Sequence, residues 1–313
     1  MTAPAVPVAI PRVSRPSVRP RVDRATTLVE TWLRLHSALV YVFLYAPILV
    51  VVLYAFNDTR GASSRFEGFS LHWFDTAIND PVVIQALTNS FIVAIPNAIL
   101  ATLFGTMAAL GLQRVGVKLR TSFDALTYVS VIVPEIVIAL STLVLFRTAF
   151  DAYQDVTGGR LQFGYATIIA SHVLFNTSLV LLLVRARLSG MDRTLVEASA
   201  DLFASPWRTF RQITFPQLLP AIVAGFLLSF TFSFDDFVIT TFVSGPGSST
   251  LAIFIWGQTK RGVTPETNAI AVMILAFTIG MLFLGQLALT WQSRRRGRQG
   301  GGMGEIIAQQ QGG

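Results

Sequence analysis

Residues 190–220 read GMDRTLVEASADLFASPWRTFRQITFPQLLP and separate two long apolar stretches of the chain. Charged side chains recur through the segment, and each would cost several kcal/mol in the core of a bilayer. They are Asp192, Arg193, Glu197, Asp201, Arg208 and Arg211. The segment therefore lies outside a membrane, between two segments that are apolar enough to cross one.

The same segment has a helical pattern. Thr194 followed by Glu197 predicts a capping box, and Ser205-Pro206 predicts an N-cap followed by proline at the first position of a second helix. That second helix is expected to stop before Pro216. The predicted apolar sides are Leu195, Ala198 and Leu202 in the first helix, and Phe210 and Ile213 in the second. The pattern alone is compatible with a loop that lies on lipid headgroups or with a docking surface for a soluble partner.

The spacing resembles the EAA loop of permease subunits of bacterial ABC importers: Glu-Ala-Ala, three residues, Gly, nine residues, Ile-x-Leu-Pro. This chain has EAS at 197–199, Phe203 at the glycine position and ITFP at 213–216. Glycine suits a helix C-cap with positive φ, and a left-handed phenylalanine would cost roughly 1–2 kcal/mol. Either the turn has another conformation, or Phe203 is an anchor that a partner buries.

The composition excludes a soluble domain. Of 313 residues, 52% are hydrophobic and 13% are charged, and the mean hydropathy is +0.59. A soluble domain carries about 25% charged residues. The chain has no cysteine, so it can form neither a disulfide nor a thiolate metal site. The net charge of +7 comes mostly from residues beside apolar spans, which indicates membrane orientation rather than binding to nucleic acid.

The sequence predicts an all-α polytopic membrane protein. A bilayer core of about 30 Å needs roughly 20 helical residues. The windows that meet this length are 37–57, 89–112, 125–149, 165–185, 218–243 and 269–291. They define a six-helix permease domain at 36–292, with a surface helix expected near 72–78. A basic tail at 1–35 and a Gly/Gln-rich tail at 293–313 are predicted to be disordered.

Lys and Arg residues indicate the orientation. With the N-terminus inside the cell, 18 of the 24 lie in cytoplasmic segments. This bias predicts that both termini and the 190–220 loop are cytoplasmic.

Acidic residues interrupt two of the predicted spans. Asp235 and Asp236 lie in the fifth, and Glu135 lies at a similar depth in the third. Buried carboxylates are costly, so these are expected to face a wet cavity or a cation. On a helix, adjacent residues project about 100° apart, so only one of the pair can point squarely into a pathway. The alternatives are an internal pair with Arg147, or protonated carboxyls that bond Ser and Thr neighbours.

Other polar and aromatic residues of these spans are expected to have structural roles. His172 and Asn176 form a polar stripe, for which helix–helix hydrogen bonding is expected rather than a metal site. Phenylalanines near the acids could make cation–π contacts, although packing or lipid contact is expected for most of them. They are Phe230, Phe232, Phe234 and Phe237.

A narrower resemblance covers residues 38–291. The runs SFDDFV (233–238), FVSGPG (242–247) and GVTPETNAIA (262–271) are similar to the putrescine/spermidine permease subunits of the PotC and PotI type. LYAPI (44–48) and LTNSF (87–91) also fit. The resemblance implies a type I importer permease in a bacterial inner membrane. Its implied partners are an ABC ATPase dimer, a homologous second permease, an extracytoplasmic solute-binding protein and a polyamine.

This resemblance also implies roles for individual residues. ATP-driven closure of the ATPase would move the 190–220 loop and cause alternating access. The implied ATPase-coupling residues are Glu197, Ala198, Asp201, Leu202, Phe203, Phe210, Ile213 and Pro216. The implied substrate-pathway residues are Asp235, Asp236 and Glu135. Whether the two permeases are identical stays open.

The sequence allows two other functions. The family also moves other small solutes, and an ion-coupled secondary transporter could use the acids to carry protons. Against the latter, the sequence shows no inverted repeat and no sign of broken helices. No catalytic motif, cofactor site or metal cluster is evident, so the chain is predicted to be a transport subunit whose ATP is bound by its partners.

Overall fold

The computed structural model describes residues 24–59, 65–192 and 194–310. Within these ranges the regular structure is helical, apart from an isolated antiparallel bridge between Asn57 and Phe69. The helices are α1 Arg24–Ala55, α2 His72–Asn79, α3 Pro81–Gly111, α4 Val117–Ile132, α5 Glu135–Thr157, α6 Tyr165–Ser189, α7 Thr194–Asp201, α8 Pro206–Thr209, α9 Phe215–Asp235, α10 Val238–Val243, α11 Leu251–Arg261 and α12 Pro265–Gln310. The all-α class and the surface helix α2 are as predicted.

Six stretches of the described residues are long and apolar enough to cross a membrane. They are Val29–Ala55, Pro81–Gly111, Glu135–Thr157, Tyr165–Ser189, Pro206–Asp235 and Pro265–Leu287. Their number agrees with the sequence analysis, while several of their boundaries do not.

Both predicted tails are shorter than expected. Helix α1 begins at Arg24, so residues 24–35 are helical rather than disordered, and α12 continues to Gln310. Extending an existing helix requires no new nucleus, so polar residues can continue a helix that an apolar span has started. In α1 the Glu30 and Arg34 side chains add an ion pair at 3.8 Å, four residues apart. Residues 1–23 and 311–313 of the predicted tails lie outside the described residues.

The third predicted span is wrong in its placement. Residues 125–149 cover two helices, because α4 ends at Ile132 and α5 begins at Glu135. Proline disfavours helical dihedrals in the residue before it, and Val133 has φ −62° and ψ 132°. Pro134 therefore breaks the window, and Glu135 opens the spanning helix instead of lying within it.

The fifth predicted span is also broken. Helix α9 ends at Asp235, Asp236 is extended with φ −67° and ψ 125°, and α10 begins at Val238. The prediction that broken helices are absent was therefore wrong. The two acids lie at the end of one helix and just before the next, rather than on one continuous helix.

The prediction that the second helix of residues 190–220 ends before Pro216 is wrong. Helix α8 continues through a π-helical turn, Phe210–Thr214, directly into α9. Proline lacks an N–H and clashes with the carbonyl four residues before it, whereas a π turn widens the helix. In this turn the Phe215 N–H bonds to the Phe210 carbonyl, five residues back. The widened turn leaves room for the Pro216 ring, so the helix continues through the proline instead of ending before it.

Helices α3, α6 and α9 pack around one valine. Val180 of α6 is fully buried between Gly105 of α3 and Gly225 of α9. A Cβ atom at residue 105 would lie 2.7 Å from the Val180 Cβ, and one at residue 225 would lie 3.2 Å from its Cγ1. Small residues allow such close approach of membrane helices. Hydrogen bonds support the same crossing, since Asn97 donates to the Ser229 carbonyl at 2.9 Å.

Candidate functional site

A buried polar cluster lies at the break between α9 and α10. The Asp236 side chain is almost fully buried. Its Oδ2 accepts hydrogen bonds from the Thr240 N–H at 2.7 Å and the Thr240 hydroxyl at 2.6 Å, and its Oδ1 accepts one from the Ile239 N–H at 3.3 Å. A carboxylate at a helix start satisfies free N–H groups and favours the helix dipole. Asp236 therefore caps α10.

His172 of α6 completes this cluster. Its Nε2 lies 3.0 Å from Asp236 Oδ2, and its Nδ1 lies 2.7 Å from the Ser233 hydroxyl. An ionised carboxylate only accepts hydrogen bonds, so Nε2–H donates to Asp236. The imidazole is 1% exposed. It joins α6 to both sides of the helix break.

The three predicted acids are brought to one region but differ in their surroundings. Glu135 is half-buried, and its carboxyl group interacts with that of Asp236. Asp235 is exposed, whereas its neighbour Asp236 is buried. The prediction that only one of the pair points into a pathway assumed one continuous helix, and α9 ends at Asp235. The suggested internal pair with Arg147 is wrong, because that side chain lies 3.5 Å from Asp151 on the surface.

The polar stripe of α6 bonds neighbouring helices, as expected. Asn176 donates to the Asn97 side chain at 3.3 Å, and His172 bonds the α9–α10 break. Sequence reasoning had not paired His172 with Asp236, or Thr240 with either. The available signal was weak: a threonine four residues after an aspartate is compatible with capping, but nothing in the sequence selects residue 172 as their partner.

Two phenylalanines near the acids belong to the core. Phe230 and Phe234 are buried, and their ring centroids lie 6.1 Å and 5.3 Å from that of Phe91. Phe232 contacts the Phe175 ring at 6.1 Å. Packing is therefore their structural role, as expected for most of the set. Phe237 contacts the Trp256 ring at 4.8 Å.

The second candidate site is the hairpin of residues 194–209, in which α7 and α8 are joined by a tight turn. Phe203 has φ +55°, the left-handed conformation that glycine adopts easily. The Ala204 N–H bonds to the Ser199 carbonyl at 3.0 Å, and the Phe203 N–H bonds to the Ala200 carbonyl at 2.9 Å. These are the two bonds of a Schellman motif. The turn thus keeps the geometry of a glycine C-cap with a phenylalanine in that position.

The hairpin ends in an exposed apolar tip, formed by Leu202, Phe203 and Trp207. Their exposed fractions are 81%, 97% and 69%. Trp207, which sequence reasoning missed, also stacks on Phe210 with centroids 5.7 Å apart. Among the predicted coupling residues, the exposed ones are Glu197, Ala198, Asp201, Leu202 and Phe203, and the half-buried ones are Phe210, Ile213 and Pro216.

The start of the hairpin differs from the predicted capping box. Helix α7 begins at Thr194, and the Asp192 carboxylate accepts hydrogen bonds from the Thr194 N–H at 2.9 Å and its hydroxyl at 2.7 Å. These bonds favour the ionised carboxylate and lower the pKa of Asp192. The Thr194 hydroxyl is a donor to Asp192 instead of the cap that pairs with Glu197. The Ser205 cap of α8 is confirmed, with the Arg208 N–H at 3.4 Å from its hydroxyl oxygen.

A cavity of about 930 Å³ lies behind the hairpin. Its walls include the ends of α3 and α6 and the inner faces of α7 and α8. Arg114 and Glu197 contribute charge, and Leu188, Trp207 and Phe210 contribute apolar surface.

Comparison with known proteins places these features in a family. The family model described as "Binding-protein-dependent transport system inner membrane component" matches residues 101–298. The spermidine/putrescine transport system permease protein PotC of Escherichia coli (strain K12) is 34% identical over 248 residues, covering 79% of this chain and 90% of that protein. The putrescine transport system permease protein PotI of the same strain is 38% identical over 237 residues, covering 75% and 82%.

Solved structures show the same fold at low identity. A bacterial ABC transporter that imports the acidic polysaccharide alginate has a chain with a TM-score of 0.68 and 14% identity, covering 85% of this chain and 98% of that one. The MetNI methionine ABC transporter in an inward-facing conformation gives a TM-score of 0.52 and 16% identity, covering 68% and 99%. At these identities the likeness concerns the fold alone.

Proposed function

The chain belongs to the family of binding-protein-dependent transport system inner membrane components, and we propose that it is the permease subunit of an ABC importer for polyamines. The family and the six-span fold are those predicted from the hairpin and the apolar windows. The proposed substrate rests on one observation above all: relatives that share more than a third of their residues over three quarters of the chain are named for putrescine and spermidine.

The acidic residues at the α9–α10 break fit such a substrate. Polyamines carry several ammonium groups, and carboxylates pair with ammonium groups through charge-assisted hydrogen bonds. Exposed Asp235 and half-buried Glu135 are the carboxylates that a cation in the pathway would meet, with Asp236 beside them. We assign all three to the substrate pathway: Asp235 and Glu135 as the groups that meet the cation, and buried Asp236 as the carboxylate that supports them.

The hairpin is the part of the chain through which ATP hydrolysis by a partner would drive transport. A soluble ABC ATPase dimer binds and hydrolyses ATP, and this chain contributes no catalytic group and no cofactor. The apolar tip and exposed Glu197, Ala198 and Asp201 form the docking surface. Since α8 continues into α9 without a stop, movement of the docked hairpin reaches the Asp235–Asp236 break along one helix. Alternating access follows from that connection.

The remaining partners follow from the family and the charge pattern. A homologous second permease completes the pathway, and an extracytoplasmic solute-binding protein delivers the polyamine. We propose that both termini and the hairpin lie on the cytoplasmic side of a bacterial inner membrane, which the Lys/Arg bias supports.

Reconstitution tests the proposal. The chain with its ATPase, second permease and binding protein is placed in proteoliposomes, and uptake of radiolabelled putrescine is followed with excess unlabelled spermidine or another solute as competitor. We expect ATP-dependent uptake that spermidine reduces and that an ATPase variant unable to hydrolyse ATP abolishes. Uptake driven by a proton gradient without ATP would favour the ion-coupled alternative, and competition only by a different solute would overturn the substrate.

The pathway assignment has its own variant. Asp235→Asn, Asp236→Asn and Glu135→Gln combined remove the negative charge while keeping side-chain size. We expect putrescine uptake to be lost. Uptake at the wild-type rate would refute the pathway assignment and leave the family unaffected.

A further inference from the structure

We propose that the adjacent acids Asp235 and Asp236 have different tasks, and that His172 is the positioning residue that separates them. Asp235 binds the ammonium groups of the substrate. Asp236 is buried and caps α10 at the point where α9 ends. His172 touches no substrate but fixes the direction in which Asp235 leaves α9. This inference rests on the proposed function for the identity of the substrate.

The hydrogen bonds of Asp236 are the first argument. A carboxylate offers about four acceptor sites. Donors within 3.3 Å of its oxygens are the Thr240 N–H and hydroxyl, the Ile239 N–H and His172 Nε2. Three of these donors converge on Oδ2 and one reaches Oδ1, and the carboxylate is buried beside Glu135, so its own surroundings hold it away from an ammonium group in this conformation. Its exposed neighbour Asp235 is the carboxylate of the pair that a cation can reach.

The position of the imidazole is the second argument. One nitrogen of His172 bonds Ser233, two residues before Asp235, and the other bonds Asp236, directly after it. A single buried ring thus holds both flanks of residue 235 against α6. The helical backbone ends between these two contacts, so side-chain bonds hold the peptide there: Thr240 and Ile239 tie Asp236 to α10, and His172 ties it to α6. Removing the imidazole ring should let the Asp235 side chain take other orientations, while its charge stays the same.

The natural absence of cysteine allows a test that needs no substrate. Asp235→Cys and Asp236→Cys are made singly in the assembled complex, and their rates of reaction with a cationic methanethiosulfonate are measured. We expect residue 235 to react at least about tenfold faster, because only exposed thiols are modified readily. Adding His172→Leu should reduce that ratio several-fold. Equal rates, or a ratio unchanged by His172→Leu, would overturn the proposal.

Uptake kinetics test the same idea through function. Loss of a hydrogen bond that orients a charged group should raise the KM for putrescine about tenfold in His172→Leu. With Asp235→Asn already present, the same change should add less than about twofold, since both act on one interaction. His172→Gln, which keeps a side-chain donor and acceptor, should restore most of the affinity.

Asn176→Leu is the matched control, because Asn176 lies one turn along α6 and bonds Asn97 rather than the helix break. We expect it to lower the thermal midpoint of the complex while leaving KM unchanged. If it raises KM as much as His172→Leu does, or if the His172 and Asp235 effects multiply, His172 is a general packing residue and the proposal fails. A wild-type complex without polyamine uptake would refute the proposed function, whereas the thiol-reaction ratio would still decide the inference.

Discussion

The hydroxyl oxygen of Ser199 lies 2.9 Å from that of Thr209 and joins the two short helices of the hairpin at residues 194–209. Ser199 is buried, and its hydroxyl also bonds the Val196 carbonyl at 2.7 Å. The resembled motif has alanine here, so this contact accompanies one of the three departures from it. The serine holds α7 and α8 together, so we expect the two helices to move as one unit.

Breaking this contact should loosen the hairpin. We expect Ser199→Ala or Thr209→Val to lower the free energy of unfolding by about 0.5–1.5 kcal/mol, the net value of one hydrogen bond. Transport-coupled ATP hydrolysis should fall with it. Chemical denaturation of the detergent-solubilised chain measures the first effect, and polyamine-stimulated ATPase activity measures the second.

The double variant provides the check on that contact. If the two hydroxyls stabilise the hairpin through each other, Ser199→Ala combined with Thr209→Val should do little more than either alone. Ser189→Ala is the control, since that exposed hydroxyl bonds only a carbonyl of its own helix at 2.8 Å. Fully additive losses would show that the contact carries no energy.

Phe203 should show opposite effects on stability and coupling. Phe203→Gly relieves the left-handed conformation, so we expect the isolated chain to gain about 1 kcal/mol of unfolding free energy. It also removes the most exposed ring of the apolar tip, so we expect weaker binding of the ATPase. Thermal unfolding and co-purification of the ATPase measure the two effects.

Phe203→Ala separates these effects. Alanine keeps the strain of positive φ but lacks the ring, so it should weaken ATPase binding without the gain in stability. A Phe203→Gly variant that binds the ATPase as tightly as the wild type would show that the ring has no part in docking.

The crossing of α3, α6 and α9 should tolerate no added methyl group at its closest point. We expect Gly105→Ala to cost about 1–3 kcal/mol, because the new Cβ would overlap Val180. Gly225→Ala, where the approach is 3.2 Å, should cost less. Denaturation in detergent ranks the two.

Val180→Ala provides the compensating change. It makes room for the methyl group, so Gly105→Ala should be less harmful in that background than alone. A Gly105→Ala variant as stable as the wild type would contradict the close packing of these helices.

A half-buried ion pair ties α4 to α6. The Asp124 carboxylate binds the Arg185 guanidinium through two hydrogen bonds, one of them 3.1 Å long, and the side chains are 27% and 21% exposed. We expect Asp124→Asn to lower the free energy of unfolding by about 1–3 kcal/mol, since it weakens bonds between charged groups.

The exposed pair of Arg147 and Asp151 is the comparison. Asp151→Asn should change stability by less than about 0.5 kcal/mol, because water screens a surface pair. Equal losses in the two variants, measured by the same denaturation, would show that burial does not strengthen the Asp124 pair.

The sequence by itself determined the number of spans and their helical class, and it predicted that residues 190–220 lie outside the membrane, although the structure joins the part from Pro206 to an apolar stretch long enough to cross one. These depend on local quantities: the length of an apolar run, the cost of a charge in lipid and the spacing of polar residues. The prediction that Glu135, Asp235 and Asp236 lie at one depth counted the rise of continuous helices, and the structure breaks both helices beside these residues.

Tertiary structure decided that α9 breaks at Asp235 and which of the two adjacent acids stays exposed. Asp236 can leave the helix because Thr240 and His172 satisfy its carboxylate, and His172 is 64 residues away. Likewise, Pro216 continues a helix because the π turn before it supplies the space. The π turn is local, whereas the His172 contact comes from packing between distant segments, which no local pattern encodes.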